Sequence, residues 1–255
     1  MSAVKTIQRK SRHELNLMRT AGAIVGEVHG LMREIIKPGM STWELDEIAE
    51  KHIRKAGAIP TFKGYYGFPC TLCTSVNDEV VHGIPSKEVV LKEGDVISVD
   101  CGATYKGFVG DSAATYAVGQ VSEDVEKLLK ATNESLYAAI DKMREGNHLE
   151  DVSGAVEDVC SQYGYGLVRQ YGGHGIGSKL HDEPFIHNYR TGDKGPLLMP
   201  GVTLAIEPMF NLGGDDVYTA EDQWTVITKD HLPSAHFEHT VLVTDSEPEV
   251  LTRVK

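Results

Sequence analysis

The sequence predicts an α+β fold in which two similar halves are arranged around one curved antiparallel sheet. Two helices followed by several β-like segments occur in residues 11–118, and the same order occurs again in residues 122–245. The chain has 255 residues, of which 41% are hydrophobic, and this is enough to build a large buried core. No stretch resembling a linker separates the halves. We therefore expect one domain over residues 1–255, with a short extension at residues 1–10.

The two helices of the first half are predicted from their capping residues and from the helical spacing of apolar side chains. Ser11 and Glu14 form a capping box, in which the hydroxyl and the carboxylate each satisfy a free backbone N–H group. Ser41 and Glu44 repeat this arrangement at the start of the second helix. Between residues 71 and 118, apolar and β-branched residues separated by glycine and proline turns predict strands.

The second half follows the same order. Helical spacing predicts helices at about residues 122–144 and 149–163, and Gly164 is a typical signal for the end of a helix. Apolar β-like segments follow, and they lie at residues 166–170, 202–210, 224–228 and 237–244. The repeated order of elements predicts that the two halves have similar structures.

Charge and hydropathy exclude several classes of partner. Lys and Arg number 25 and Asp and Glu number 37, so the net charge is −12, which disfavours general binding to nucleic acid. No stretch reaches the ~18 consecutive apolar residues that a membrane-spanning helix needs. Residues 1–10 lack the apolar segment of a secretory signal, so we expect a cytoplasmic protein with no membrane partner.

Cys70 and Cys73 form a CxxC motif, which is compatible with zinc binding or with redox chemistry. A structural zinc site would need a second pair of ligands, and no second CxxC follows in the sequence. A redox motif of this kind would open a helix, whereas Cys73 lies in a strand-like run. Both interpretations are therefore disfavoured.

Four acidic residues lie in apolar, strand-like segments, where a carboxylate needs a specific reason to be buried. They are Asp100, Asp111, Glu207 and Glu238. A hairpin that turns at residues 105–106 would place Asp100 directly opposite Asp111 on one face of the sheet. Because like charges at such positions repel, this arrangement predicts a cation between them.

Histidine completes a set of metal ligands. A glycine-rich segment at residues 172–177, which we expect to be a loop, brings His174 close to the backbone, and His181 follows it in the sequence. Four carboxylates and one imidazole form a hard, mostly oxygen ligand set, which suits a pair of Mn, Fe, Co or Zn ions. Two ions about 3.5–4 Å apart are typical of hydrolytic centres. The sequence therefore predicts a dinuclear metal site for hydrolysis.

Five short motifs carry a resemblance to a known family. They are Val-His-Gly-Ile-Pro at residues 81–85, Asp-Cys-Gly at 100–102 with Asp111, Gly-His-Gly-Ile-Gly at 173–177, Ala-Ile-Glu-Pro at 205–208, and Phe-Glu-His-Thr at 237–240. In their order and spacing they resemble the motifs of the methionine aminopeptidases, over about residues 5–250. Glu207 and Glu238 are 31 residues apart, without the insertion of the type II branch, so the chain resembles the type I, bacterial-style enzymes.

This resemblance implies the duplicated pita-bread fold and a metal-dependent hydrolase. The implied reaction is removal of the initiator methionine from nascent proteins and peptides when the second residue is small. Asp100 would bind one divalent ion, His174 and Glu207 would bind the other, and Asp111 and Glu238 would bridge the two. A hydroxide held between the ions would attack the first peptide carbonyl. The choice among Co, Mn, Fe and Zn stays open.

The resemblance also implies catalytic groups and a substrate pocket. Glu207 would move the proton, His181 would stabilise the developing oxyanion, and His82 would contact the peptide near the scissile nitrogen. An apolar slot for the methionine side chain is implied at six positions: Phe62, Tyr65, Phe68, Cys73, Leu180 and Trp224.

Two other functions are weighed against this one. An Xaa-Pro-type aminopeptidase of the same fold would carry the same metal ligands, but such proteins usually have a further N-terminal domain. A non-catalytic binding module of this fold would have lost metal ligands, whereas all of the implied ligands are present here.

One loop departs from the family pattern. Bacterial type I enzymes often carry lysines between the strand of Glu207 and the pocket residue Trp224, and this basic loop is thought to help docking on ribosomal RNA. In this chain residues 213–222 contain four acids and no Lys or Arg. We therefore expect weak ribosome association through this loop, and a monomer that meets nascent chains by collision or through another surface.

Overall fold

The computed structural model describes residues 7–253, so residues 1–6 of the predicted extension lie outside the described part. The helices are α1 (Arg12–Ile35), α2 (Thr42–Lys55), α3 (Glu123–Asp141) and α4 (Leu149–Tyr163), with a short 3-10 helix at Tyr65–Gly67. The strands are β1 (Ile59–Pro60), β2 (Leu72–Val76), β3 (Glu79–Val81), β4 (Val96–Tyr105), β5 (Phe108–Ala117), β6 (Gly166–Leu167), β7 (Gly173–Gly175), β8 (Asp182–Ile186), β9 (Thr203–Ile206), β10 (Met209–Asn211), β11 (Val217–Thr219), β12 (Val226–Thr228), β13 (Ser234–His236), β14 (His239–Leu242) and β15 (Glu249–Val250).

The helices begin where the capping residues predict. Ser11 and Ser41 each accept a hydrogen bond from the backbone of the glutamate three residues later, and both glutamates accept a bond in return. α4 ends at Gly164, whose φ of 73° is a conformation that glycine adopts without strain. The main difference from the prediction is at α3, which ends at Asp141 and not near residue 144.

Backbone pairing among the described residues is antiparallel and divides into four sheets, which confirms the α+β class. In the first half β4 pairs with β1, β2 and β5, and in the second half the order is β15-β14-β9-β7-β8. Two three-stranded sheets have the orders β13-β10-β6 and β11-β12-β3. Because β3 comes from the first half and β12 from the second, the last of these sheets joins the two halves.

Each half has its own core between its two helices and its strands. Val28 of α1, Leu45 of α2 and Ile97 of β4 belong to one fully buried cluster in the first half. The corresponding cluster of the second half includes residues of α3 and α4 together with Leu204 of β9 and Val241 of β14. Within residues 7–253, no helix is both long enough and apolar enough to cross a membrane.

The hairpin of β4 and β5 turns one residue later than predicted. Tyr105 pairs with Phe108, so the turn consists of Lys106 and Gly107, whose φ values are 48° and 84°. Positive φ at both central residues is what a type I′ turn requires, and the twist of this turn matches that of the flanking strands. The predicted turn at residues 105–106 would have placed a bulky tyrosine at the first of these positions.

This later turn corrects the predicted pairing of two acidic residues. Asp100 lies opposite Ala113, and Asp111 lies opposite Gly102, so the aspartates are diagonal neighbours and do not face each other directly. They still lie on the same face of the sheet, because moving the turn by one residue changes the register by two. The prediction of direct apposition was therefore wrong, whereas the prediction of a shared face is confirmed.

The glycine-rich segment forms a strand and not the predicted loop. β7 pairs with β8 on one side and with β9 on the other. A Cβ atom on Gly173 would lie 2.3 Å from the carbonyl oxygen of Ala205, and one on Gly175 would lie 2.2 Å from that of Glu183. The glycines therefore allow neighbouring backbones to come close on both sides of His174.

The two larger sheets meet at β5 and β14 through hydroxyl groups and not through a continuous backbone ladder. The N–H of Asp111 donates to Thr240 Oγ1 over 3.0 Å, and the Thr240 hydroxyl donates to the carbonyl oxygen of Asp111 over 2.8 Å. The N–H of Glu238 donates to the carbonyl oxygen of Ala113 over 2.8 Å. This seam holds the backbones of Asp111 and Glu238, one from each half, next to each other.

Candidate metal centre and substrate cavity

A cavity of about 620 Å³ opens between the two halves, above the seam. Every side chain that the sequence predicted for the site lines this cavity. They are Phe62, Tyr65, Phe68, Cys73, His82, Asp100, Asp111, His174, Leu180, His181, Glu207, Trp224 and Glu238. Since Asp100 and Asp111 belong to the first half and His174, Glu207 and Glu238 to the second, neither half alone could form this cluster.

The acidic side chains and His174 come together at the floor of the cavity. Asp111, His174 and Glu238 each offer one ligand atom, and these atoms lie within 4.8 Å of one another. Glu207 adjoins this group, with its Oε1 atom 3.5 Å from Nε2 of His174. The carboxyl group of Asp100 is close enough to that of Asp111 to influence its pKa.

Each of the four carboxyl groups lies in an environment that disfavours its ionised form. Burial raises the pKa of Asp100 to about 7, although the nearby His236 acts in the opposite direction. Burial, together with the neighbouring carboxylates, raises the pKa of Asp111 and of Glu238 well above the usual range. For Glu207 burial has the same effect on the pKa.

The donor atoms of this cluster fit a divalent metal. Asp100 Oδ1, Asp111 Oδ1 and Glu238 Oε1 are buried and have no hydrogen-bond partner, which is uncommon for side-chain oxygens inside a protein. A cation would satisfy these oxygens and would offset the repulsion between the carboxylates. Oxygen ligands with one imidazole suit Mn, Fe, Co or Zn better than they suit a soft metal.

His174 has its metal-binding nitrogen free. Its Nδ1 donates a hydrogen bond to the carbonyl oxygen of Gly175 over 3.0 Å, so Nε2 carries the lone pair and faces the carboxyl groups. Burial lowers the pKa of His174 to about 3, and the ring is therefore neutral at physiological pH. Its distances of 3.5 Å to Glu207 and 3.9 Å to Asp111 are therefore not ion pairs. Distances of this size are expected between neighbouring ligands of one metal site.

Two further histidines line the cavity next to this cluster. The ring of His181 lies perpendicular to that of His174, with 4.4 Å between the centroids, and its Nδ1 is 3.0 Å from the hydroxyl oxygen of Tyr65. His82 has a φ of 61°, a strained conformation for a residue with a side chain, and such strain is concentrated at functional sites. Its ring lies edge-on to Tyr171, and burial lowers its pKa to about 4.

The six side chains of the predicted methionine slot belong to one hydrophobic cluster. Phe68 and Trp224 are in edge-to-face contact, with 5.1 Å between the ring centroids. Asp222 accepts the backbone N–H of Trp224 over 2.8 Å, so one carboxylate of the acidic loop fixes the position of the tryptophan. Cys73 lies in β2, and burial raises the pKa of its thiol well above the usual value. Neither Cys73 nor Cys70 is in a disulfide.

Sequence reasoning missed several cavity residues, of which His236 is the most deeply buried. Its Nε2 lies 3.6 Å from Oε2 of Glu207, and the side chain is 2% exposed. The alternation of side chains along a strand offers a signal, because His236 precedes the predicted ligand Glu238 by two residues. Tyr66, Gln170, Tyr171, Lys179, Asp182, Glu183 and Phe185 line other parts of the cavity and were also missed.

The chain matches one metallopeptidase family, and its relatives match it over nearly its whole length. The model of metallopeptidase family M24 matches residues 16–245. The chain is 50% identical to methionine aminopeptidase 1 of Bacillus subtilis over 245 residues, which are 96% of this chain and 98% of that protein. It is 49% identical to the methionine aminopeptidase of Clostridium acetobutylicum over 243 residues, which are 95% of this chain and 97% of that protein.

Solved structures are similar over the same length. The crystal structure of methionine aminopeptidase from Thermotoga maritima has a TM-score of 0.95 and 42% identity, with 97% of this chain and 100% of that chain covered. A prolidase from Pyrococcus horikoshii has a TM-score of 0.77 and 21% identity, with 97% of this chain but 64% of that chain covered. The likeness to the prolidase shows a common fold.

Proposed function

Because this chain belongs to metallopeptidase family M24, we propose that its cavity hydrolyses the first peptide bond of substrates that begin with methionine. The observation that carries this function is a buried, oxygen-rich cluster of metal-type ligands beside an apolar slot in one cavity. Relatives about half identical over nearly the whole chain are methionine aminopeptidases, which supports the same activity here. The chain is therefore a metal-dependent peptidase with N-terminal peptides as substrates.

We further propose how the ligands are divided between two ions. Asp100 would hold one ion, His174 and Glu207 would hold the other, and Asp111 and Glu238 would be shared by both. When bound, divalent ions supply an activated water at neutral pH and a Lewis acid for the substrate carbonyl. The unpartnered carboxyl oxygens and the free Nε2 of His174 support this assignment.

Three side chains would handle protons and charge during hydrolysis. Glu207 is close enough to the cluster to accept a proton as the carbonyl is attacked. His181 would donate from Nε2 to the oxyanion that develops on the carbonyl oxygen, since the Tyr65 hydroxyl lies at its Nδ1 and can donate to it. His82, whose pKa is lowered by burial, would orient the departing nitrogen through a hydrogen bond, and that nitrogen would take up the proton that Glu207 accepted. Both histidines line the same cavity as the cluster, and the ring of His181 lies against that of His174.

Metal binding should release protons. The pKa of Asp100 is about 7 and the pKa values of Asp111, Glu207 and Glu238 are well above normal, so these groups retain protons near neutral pH in the metal-free protein. A cation displaces them, and lower pH should therefore weaken binding. Titration calorimetry at pH 7 in buffers of different ionisation enthalpy should give two ions per chain and about one proton or more released. Metal binding without proton release would mean that these carboxyl groups are already ionised in the metal-free protein, and it would contradict their raised pKa values.

The proposed activity is tested by the release of free methionine from short peptides. We expect kcat/KM for Met-Ala-Ser to exceed that for Met-Leu-Ser by at least about tenfold, because a bulky second residue would clash beside the metal cluster, where the side chains stand on paired strands. Leu-Ala-Ser is the control for the methionine slot and should be a poor substrate. Equal kcat/KM for Met-Ala-Ser and Met-Leu-Ser would indicate a broader aminopeptidase.

We propose a cytoplasmic enzyme that associates only weakly with ribosomes through its acidic loop. The loop has no Lys or Arg of its own to bind phosphate. The cations beside it are paired with its acids, since Arg169 lies 3.1 Å from Asp215 and Lys229 lies 3.4 Å from Asp216. Co-sedimentation with ribosomes over a salt series should show little binding, and cell fractionation should find the enzyme in the cytoplasm. Tight, salt-sensitive binding that is lost when residues 213–222 are replaced would refute the proposal.

A further inference from the structure

His236 is a buried side chain in the cavity to which the proposed mechanism gives no role. It ends β13, and its backbone is fixed at the seam by Thr115, whose Oγ1 accepts from the N–H of His236 over 2.9 Å and donates to its carbonyl oxygen over 2.9 Å. The Nε2 atom is buried and has no hydrogen-bond partner. A buried polar atom of this kind needs a partner, and the nearest candidate is Glu207.

The two carboxylate oxygens of Glu207 face different nitrogens. Oε1 lies 3.5 Å from Nε2 of His174, and Oε2 lies 3.6 Å from Nε2 of His236. Because Nδ1 of His174 donates to the carbonyl oxygen of Gly175, its Nε2 is an acceptor and cannot donate to Oε1. When Glu207 is ionised, as a metal ligand must be, this is a contact between two acceptors that calls for a cation, whereas Oε2 still needs a donor.

We propose that His236 is a positioning residue for Glu207: its Nε2–H donates to Oε2 and thereby directs Oε1 towards the metal site. The inference rests on the proposed function, in which Glu207 is a ligand. A separation of 3.6 Å is slightly longer than a hydrogen bond, but such contacts often tighten when the site is filled. Hydrogen bonds from outside the ligand set commonly orient metal-binding carboxylates in this way.

The backbone of His236 is held in place, which a residue that positions Glu207 requires. Its backbone is held by a threonine of β5, and the same strand carries Asp111, so movement of the imidazole is coupled to the seam and not to a loop. The side chain is 2% exposed, so bulk solvent does not satisfy the ring nitrogen. With His236 as the donor, both oxygens of Glu207 have a defined partner.

The first test measures metal affinity in two variants. His236→Gln keeps an N–H donor on a side chain of similar length, and His236→Leu removes the donor while filling the space. We expect His236→Leu to bind metal about 10- to 100-fold more weakly, with a fall in kcat and little change in KM, and His236→Gln to restore affinity to within a few-fold of the native value. His187→Leu is the matched control, because His187 also has an unpartnered buried nitrogen but does not line the cavity.

The second test reads the protonation of the ring directly in the native protein. Two-bond nitrogen–proton NMR spectra of protein labelled in its histidine rings, without metal and with diamagnetic zinc, should show His236 protonated at Nε2 in both states. The His236→Gln spectrum assigns the signal. An unprotonated Nε2 that shifts on zinc binding would make His236 a ligand and overturn the proposal, as would native metal affinity in His236→Leu. Failure of the native protein to bind metal or to release methionine would instead count against the proposed function.

Discussion

The Asp111→Asn protein is expected to fold, to bind fewer metal ions than the native protein and to lose more than about 1000-fold of its activity on Met-Ala-Ser. Asparagine has the shape of aspartate, but it cannot supply the negative charge that a shared ligand needs between two cations. Glu238→Gln should behave in the same way. The bonds between Asp111 and Thr240 that hold the seam use the backbone of Asp111, so they remain in the variant.

Stability separates a lost ligand from a lost fold in this experiment. Burial raises the pKa of Asp111 well above its usual range, so the metal-free native protein gains nothing from an ionised carboxylate at this position. The metal-free Asp111→Asn protein should therefore resist urea about as well as the metal-free native protein. Asp245→Asn, which changes an exposed aspartate, is the control and should keep full metal content and activity. Native turnover and metal content in Asp111→Asn would refute the shared-ligand assignment.

The His181→Ala protein is expected to keep its metal and to lose about 100- to 1000-fold in kcat, which is the usual cost of removing one donor to an oxyanion. His181 lines the cavity, its ring lies against that of His174, and its Nδ1 is 3.0 Å from the hydroxyl oxygen of Tyr65, so its Nε2 is left for the substrate. Its removal should therefore affect the reacting carbonyl and not the ions. Metal analysis by mass spectrometry and steady-state kinetics on the same preparation provide the measurement.

Tyr65→Phe is the informative companion to this variant. The hydroxyl oxygen of Tyr65 lies 3.0 Å from Nδ1 of His181, and donation to Nδ1 leaves the proton on Nε2, where an oxyanion could use it. We expect a smaller fall in kcat than for His181→Ala, and no further fall when the two changes are combined. If His181→Ala is purified without metal, then His181 is a ligand and the division between metal-binding and substrate-binding histidines is wrong.

Features that depend on neighbours a few residues apart were predictable from the sequence. Capping boxes at Ser11 and Ser41 set the start of two helices, because the two partners of each box are separated by one helical turn. Gly164 set the end of α4 through its own backbone conformation. The residues and short motifs predicted four acidic residues and His82, His174 and His181 as site residues, and all seven line one cavity.

How these residues meet depends on contacts between segments that are far apart in the chain. The Lys106–Gly107 turn made Asp100 and Asp111 diagonal neighbours, and the hydroxyl seam brought Glu238 beside them from the other half of the chain. The sequence did not show that a glycine-rich segment would be an interior strand, because the reason lies in the carbonyl groups of strands distant in the chain. The spacing of His236, two residues before Glu238, does not show on its own that the side chain has a role. Its importance comes from an unpartnered nitrogen near Glu207, and burial and distance between residues far apart in sequence exist only once the chain has folded.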